Sequence, residues 1–386
     1  MTTLLDSIRS RVDARSPILL QDGSGERWQA SDIISIVGSL SQYLSARGVS
    51  RSDRVAIIVP DGPSLCLAFL AVSCHAVAAP LNPKVSTEDL RSWLEDLAPA
   101  AILVTDASPS AAADVAAALG IPVIRFDSVD IRRKGDGPLL PQAPEPDDIA
   151  LILHTSGTTA RAKMVPLTHR NLLRSAHAIA EALHLGPDDI CLNLMPMFHI
   201  LGIVACLLAP LVSGGRVIVS EGMDSARFFR LLIEMRPTWY SAVPTRHRDL
   251  LDHLKRHPES IDGHALRFIR SSSAALPVSV LVELESRFGV PVVEAYAMTE
   301  ASQMCSNPLP PGIRKPGSVG KAAGPEVAVV DGDGRLLPAG TSGEVVIRGE
   351  NVTSGYLGLP EEQQGRLAGG WFRTGDLGQF DEEGYL

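Results

Sequence analysis

The chain has 386 residues, 45% hydrophobic and 20% charged, the balance of an ordinary globular protein long enough for two or three packed units. Its net charge of −9 excludes a general nucleic-acid binder, which needs a basic footprint. Five scattered cysteines without any C-x-x-C pair suit small buried thiols in a reducing, cytoplasmic compartment. At the N-terminus Asp6, Arg9, Arg11 and Asp13 break any signal-peptide core. Two apolar stretches are the candidates for a membrane span: 65–81, which contains Ser73 and His75, and the shorter 200–212. Neither reaches the roughly 20 clean residues a span requires, so both are expected to be core helices.

Helical spacing at 32–46 is followed by a buried strand at 54–59 and a helix at 62–77. Short β-rich runs at 100–105 and 122–126 flank a small-residue helix at 109–119. Residues 132–147, with Lys, Gly and several Pro, form a connector. A second block opens with a strand at 149–154 and a helix near 170–183. It continues with a strand at 216–219, a helix at 225–235 and strands at 266–271 and 292–296. Strands alternating with helices predict a mostly parallel sheet. From about Gly317 the texture changes to short strands (327–330, 343–348 and 376–380) punctuated by Gly and Asp, with 331–334 as a turn, which predicts a small antiparallel β unit. The expected organisation is a first α/β subdomain at 1–148, a second at 149–316 and a β-rich subdomain at 317–386. Residues 381–386 read as a hairpin whose second strand has only begun, so a longer natural protein is expected.

The most informative segment runs from a buried strand into T-S-G-T-T-A-R-A-K at 155–163. Thr155, Ser156, Thr158 and Thr159 offer hydroxyl donors to phosphate oxygens, Gly157 lets backbone N–H groups turn inward, and Lys163 adds a point charge. A Walker A loop needs Gly before the Lys and Ser or Thr after it. Ala162 and Met164 stand there, so that reading fails.

Residues 155–163 resemble the phosphate loop of the adenylate-forming superfamily, which includes acyl-CoA synthetases, firefly luciferase and peptide-synthetase adenylation domains. The usual pattern, T-S-G-T-T-G-x-P-K-G, is met except at Ala160, Ala162 and Met164. Ala in place of Pro removes a fixed φ and loosens the loop. Four further segments match in order: P-M-F-H at 196–199, S-S-S-A-A-L-P at 271–277, Y-A-M-T-E at 296–300 and W-F-R-T-G-D at 371–376. Any one alone is weak, whereas five in order are specific and span nearly the whole chain.

The resemblance implies two mostly parallel sheets flanked by helices plus a small antiparallel, barrel-like β unit. It implies ATP, Mg²⁺ and coenzyme A, with a small carboxylic acid joined first to AMP and then to the CoA thiol. Thr155, Lys163, His199, Thr299 and Glu300 take the catalytic positions, with Glu300 as the Mg²⁺ carboxylate. Ser156, Gly157, Thr158 and Thr159 face the phosphates. Ser273, Ala274, Ala275, Glu294, Ala295, Tyr296, Ala297 and Met298 surround the nucleotide, with Tyr296 on adenine, and Asp376 accepts from the ribose hydroxyls. His199, Leu201, Gly202, Ser273, Ala297 and Ser302 line the acyl pocket. The residues by themselves leave Glu300 open to a helix-capping role, Asp376 to a turn and His199 to a satisfied core histidine.

Within the superfamily the chain looks most like oxalate–CoA ligases, through 154–159, 165–168, 240–245, 266–273, 294–302, 306–310 and 315–320. Leu201 stands where that subgroup has a second His, and Gln303 follows Ser302 directly where a further His is usual. A larger, more hydrophobic acid than oxalate is therefore expected. The family's small C-terminal domain, with its adenylation lysine, lies beyond a hinge just past residue 386, so this length of chain is expected to be a weak catalyst alone. Two other readings stay open. One is an enzyme that runs only the thioester half-reaction or loads a carrier protein, with a carrier or partner enzyme as its companion; the other is a non-catalytic nucleotide-binding module.

Overall fold

The computed structural model describes residues 2–12, 18–128, 143–155 and 163–386. The loop at 156–162, and with it the positions Ser156, Gly157, Thr158 and Thr159, lies outside them. The chain divides into two compact units. The first comprises Met1–Arg170, Pro196–His199 and Val219–Gly222, and the second comprises Asn171–Met195, Ile200–Ile218 and Met223–Leu386.

In the first unit β1 (Ile18–Asp22) and β2 (Arg27–Gln29) form an antiparallel pair. The remaining strands are β3 (Arg54–Ile57), β4 (Val77–Pro80), β5 (Ala101–Val104), β6 (Val123–Arg125), β7 (Ile149–Thr155) and β8 (Lys163–Thr168). They assemble in the order β6-β5-β3-β4-β7-β8, parallel except for the β7–β8 hairpin. Val55, Ala56 and Ile57 are fully buried, as a central parallel strand covered on both faces demands. Helices α1 (Leu4–Arg9), α2 (Ala30–Ser45), α3 (Pro63–Ser73), α4 (Thr87–Leu97) and α5 (Ser110–Ala118) accompany this sheet. The hydroxyl of Ser86 caps α4 by accepting from the Asp89 N–H, and Ala98 ends it in the left-handed conformation. The expected helix at 62–77 stops at Ser73, because Val77–Pro80 is drawn into the sheet beside β3.

In the second unit the strands are β9 (Ile190–Asn193), β10 (Arg216–Val219), β11 (Trp239–Ala242), β12 (Phe268–Ser271), β13 (Val292–Met298), β14 (Ser302–Ser306) and β15 (Lys321–Ala322). They run in the order β15-β14-β13-β12-β11-β9-β10. The pairs from β10 to β13 are parallel, and β14 and β15 turn the edge antiparallel. Beside them lie α6 (His169–Ala182, in this unit from Asn171), a π-helical stretch Leu201–Leu208 that runs into α7 (Ala209–Ser213), α8 (Ser225–Glu234), α9 (Pro244–Arg256) and α10 (Val278–Phe288). Phe228, Tyr240, Leu250, Ile269, Leu284 and Val292 form the core under α8, α9 and α10. The small β unit is an antiparallel three-stranded sheet, β16 (Glu326–Val330), β17 (Gly343–Arg348) and β18 (Phe372–Gly378). Among the described residues it is open rather than barrel-like. Its third strand lies at 372–378 instead of the expected 376–380, since Phe372 supplies the buried anchor.

The apolar run at 200–212 is helical and buried all round, as expected, but its first part is π-helical. Among the described residues no helix is long and apolar enough to cross a membrane.

Three histidines, His169 and His247 buried and His154 half-buried, couple this packing to pH. His169 accepts from the Leu4 N–H through Nδ1 (3.2 Å), His154 stacks on Trp93 with centroids 5.2 Å apart, and His247 is enclosed beside Tyr240. Burial pushes each down to about 4 from an ordinary 6.5. The unfolded chain therefore binds protons that the folded chain refuses, and stability present above about 6.5 is lost as pH falls toward about 4. Urea unfolding midpoints should decline steadily across that window, and a flat profile there refutes the assignment.

Candidate active site

In the second unit the site is built where β13 reverses into β14. β13 runs parallel to β12 with Ser271 opposite Glu294, then turns through Thr299–Ala301 and returns antiparallel, with Met298 opposite Ser302. Ser302 takes the left-handed conformation (φ 56°) to make the turn. Ligands of open α/β sheets gather at such carboxyl ends of parallel strands. Thr299 and Glu300 therefore sit at the apex.

Glu300 is buried, 6% exposed. The Tyr356 hydroxyl donates to its Oε1 (2.8 Å), while its backbone carbonyl accepts from the Thr353 N–H (2.7 Å). Among the described residues no basic side chain pairs with this carboxylate. A buried carboxylate met only by a neutral donor is the environment a hard cation completes, and Mg²⁺ fits it. The described residues contain no cluster of three His, Cys, Asp or Glu able to hold a metal. Glu300 would thus supply one ligand, with phosphate oxygens and water as the rest. Burial and the neighbouring Glu300 carboxylate push the Tyr356 phenol up, keeping it a donor. The turn is braced from behind: Ser175 Oγ (2.9 Å) and Asn351 Nδ2 (2.8 Å) both donate to the Ala301 carbonyl.

The Tyr296 hydroxyl donates to Asp376 Oδ2, so two positions assigned to adenine and ribose touch one another. Asp376 lies exposed on β18, and its N–H donates to Thr374 Oγ1 (3.1 Å). Thr374 Oγ1 in turn donates to the Val345 carbonyl on β17 (2.8 Å). Burial, and then the contact with Asp376, raise the Tyr296 phenol. At the end of β12 the chain leaves the sheet through Ser273, again left-handed (φ 71°). Ser273, Ala274 and Ala275 are exposed there, while the Ser271 and Ser272 hydroxyls are buried without a partner among the described residues. Glu294 is 7% exposed and accepts from the Gly317 N–H (3.2 Å); its carboxyl is raised by burial. Ala295 is buried, and Ala297 and Met298 are half-buried. Leu201 and Gly202 open the π-helical stretch as buried residues.

In the first unit Thr155 and Lys163 are paired across the β7–β8 hairpin, and Thr155 Oγ1 reaches the Lys163 carbonyl at 3.5 Å. They flank residues 156–162, the segment whose sequence resembles a phosphate loop. The segment Pro196–His199 belongs to this unit as well. Asp61 Oδ1 accepts from the Met197 N–H (2.9 Å), and the His199 N–H closes a turn onto the Pro196 carbonyl (3.1 Å). His199 reaches solvent, packs on Phe198 with centroids 4.8 Å apart, and has its pKa lowered by partial desolvation.

Sequence reasoning missed Asp61, Asn351 and Tyr356. Only Tyr356 carried a signal, as an aromatic in the Gly-rich stretch after β17. The other two act by hydrogen bonds to backbone atoms distant in sequence, which no local pattern records.

The family model described as AMP-binding enzyme matches residues 10–357. The chain is 39% identical over 408 residues to a probable CoA ligase of Humulus lupulus, covering 100% of this chain and 76% of that protein. It is 40% identical over 361 residues to an oxalate–CoA ligase of Arabidopsis thaliana, covering 90% and 70% respectively. The crystal structure of ATP-bound MatB from Rhodopseudomonas palustris superimposes with a TM-score of 0.89 at 28% identity, covering 99% of this chain and 77% of that one.

Asp376→Ala removes a charged acceptor and should weaken AMP binding by roughly 10- to 100-fold, as loss of a charged hydrogen bond costs about 1.5–3 kcal/mol. Tyr296→Phe should cost less. Calorimetric titration of AMP checks both, and equal affinity in Asp376→Ala rules out the ribose assignment.

Proposed function

Because this chain belongs to the AMP-binding enzyme family, we propose that it is an AMP-forming acid–CoA ligase acting on an acid larger and more hydrophobic than oxalate. The observation that carries this reading is the apex of β13, where Thr299 and the buried Glu300 share one unit with the Tyr296–Asp376 pair. One nucleotide needs these groups together: a ring for the base, a carboxylate for the ribose, and donors and a metal carboxylate for the phosphates.

In the first half-reaction the acid's carboxylate oxygen attacks the α-phosphorus of ATP, and the bond to pyrophosphate breaks. Asp376 accepts from the ribose hydroxyls, Tyr296 stacks on adenine, and the exposed backbone of Ser273, Ala274 and Ala275 borders the base. The Thr299 hydroxyl donates to a phosphate oxygen as charge shifts onto it. Glu300 would hold Mg²⁺, which would supply charge neutralisation at the phosphate oxygens. In the second half-reaction the CoA sulfur attacks the acyl carbonyl and AMP leaves.

The size of the acid follows from Leu201. It is 4% exposed and opens the wholly apolar run L-G-I-V-A-C-L-L, a wall that offers a small dianion nothing to bond. Five buried thiols suit a cytoplasmic setting. A second reading, thioester formation from a supplied adenylate or delivery to a carrier protein, draws support from Ala160, Ala162 and Met164 in the phosphate loop.

The test mixes the protein with ATP, Mg²⁺ and acids from oxalate to bulky apolar ones, and traps activated acyl groups with hydroxylamine. Hydroxamate from larger acids and none from oxalate is the expected result. Silence across the panel, with CoA transfer still seen from supplied acyl-adenylate, transfers the assignment to the second reading. Leu201→His should lower, not raise, kcat/KM for the preferred acid, and a gain would count against the pocket argument.

A further inference from the structure

Strand β12 carries a cation that no carboxylate among the described residues pairs with. Ile269 joins the aliphatic core with Tyr240 and Val292, so by strand alternation its neighbour Arg270 projects from the other face. Arg270 is 1% exposed. Its Nη1 donates to Ser241 Oγ (3.1 Å) and its Nη2 to Gln303 Oε1 (3.1 Å), while Nε has no partner among the described residues. Both acceptors are neutral, and no described carboxylate pairs with the guanidinium.

Its other neighbours are the thiols of Cys191 and Cys206. Burial holds Cys191 well above the ordinary thiol range, so it contributes no negative charge. The same burial lowers Arg270 to about 10, which leaves it cationic at neutral pH. A dehydrated cation held only by neutral acceptors is costly, and an apolar residue in its place is commonly neutral or stabilising. Folding alone therefore gives no reason for this residue.

The surroundings say what would complete it. The π-helical stretch Leu201–Leu208 packs on this face against β9, β11 and β14, and Trp239 stacks on Phe268 two residues before Ser241 and Arg270 on their strands (5.5 Å). Gln303, the partner of Nη2, lies opposite Ala297 in the β13–β14 register. Ala297 precedes Thr299 by two residues, roughly 7 Å along an extended strand. A cation thus lies at the end of an apolar face, a short step from the turn assigned to the reacting phosphate.

We propose that Arg270, held by Ser241 and Gln303, recognises a second anionic group, carboxylate or sulfonate, at the far end of the acid. The substrate is then a diacid whose two charged ends are separated by an apolar spacer. This rests on the ligase reading and narrows it: the acid is larger and more apolar than oxalate, yet charged at both ends. It also gives Gln303 a role, since the carboxamide orients the guanidinium while its own Nε2 donates to the Ala323 carbonyl (3.2 Å).

The experiment compares three acids of equal chain length: an ω-dicarboxylate, its ω-sulfonate analogue and the plain monocarboxylate. Each is assayed by hydroxamate trapping and by calorimetric titration into AMP-loaded protein. At least one doubly charged acid should exceed the monocarboxylate in kcat/KM by about 30-fold or more, and the stronger of the two identifies the terminal group. Arg270→Met should collapse that ratio toward one through KM, with AMP affinity and thermal stability kept. Arg270→Lys should retain part of the preference. A monocarboxylate preferred by the unaltered protein overturns the proposal without any variant. So does a folded Arg270→Met or Arg270→Gln with unchanged selectivity, which would leave Arg270 as a brace for Gln303. If no acid is activated at all, the ligase reading fails by itself, and the titrations still decide whether the second charge is recognised.

Discussion

The reversal of direction between β13 and β14 is the constraint on which the second unit depends. Up to Glu294 the strand obeys the register of a parallel sheet, and by Ser302 the chain runs the other way. Such a corner leaves backbone groups without ladder partners, and Asn351, Ser175 and Thr353 take them up. The side chains at the apex are then held by a frame they do not themselves build. A carboxylate can stay buried there with one phenol as its donor because the backbone beneath it is already satisfied.

The same corner links two chemistries along one strand. Toward its start β13 faces the aliphatic core and the neighbourhood of Arg270; at its end it presents Tyr296, Thr299 and Glu300. Residues proposed for the base, the phosphates and the acid thus follow one another along a short length of strand and turn, with spacing set by strand geometry. Loops could carry the same side chains, but with less constraint on their mutual distances.

Much of this was legible in the sequence. The alternation of strand and helix gave a mostly parallel arrangement and the resemblance gave two such sheets, while 216–219 was read to the residue, because β-branched runs between polar boundaries leave little choice. The Gly- and Asp-punctuated tail gave the antiparallel unit. The short strands β9, β11 and β14 were not read: each is only four or five residues long, and their character comes from burial by neighbours distant in sequence. At the site, Tyr296, Thr299, Glu300 and Asp376 stood out through ordered motifs. Arg270 lay inside a quoted segment without being singled out, since sequence alone does not reveal that an arginine is enclosed and lacks a carboxylate. Tyr356 and Asn351 stayed hidden because their meaning is a hydrogen bond across about 50 residues of chain.

The phenol resting on Asp376 ties two proposed subsites to one hydrogen bond. Tyr296 donates to Oδ2, and an ionised carboxylate has acceptor sites on both oxygens, so a ribose hydroxyl at Oδ1 would meet a carboxylate already oriented by the ring beside it. In the proposed assignment the sugar and the base would then be read by a single linked pair. A change at either residue would loosen the grip on both halves of the nucleoside.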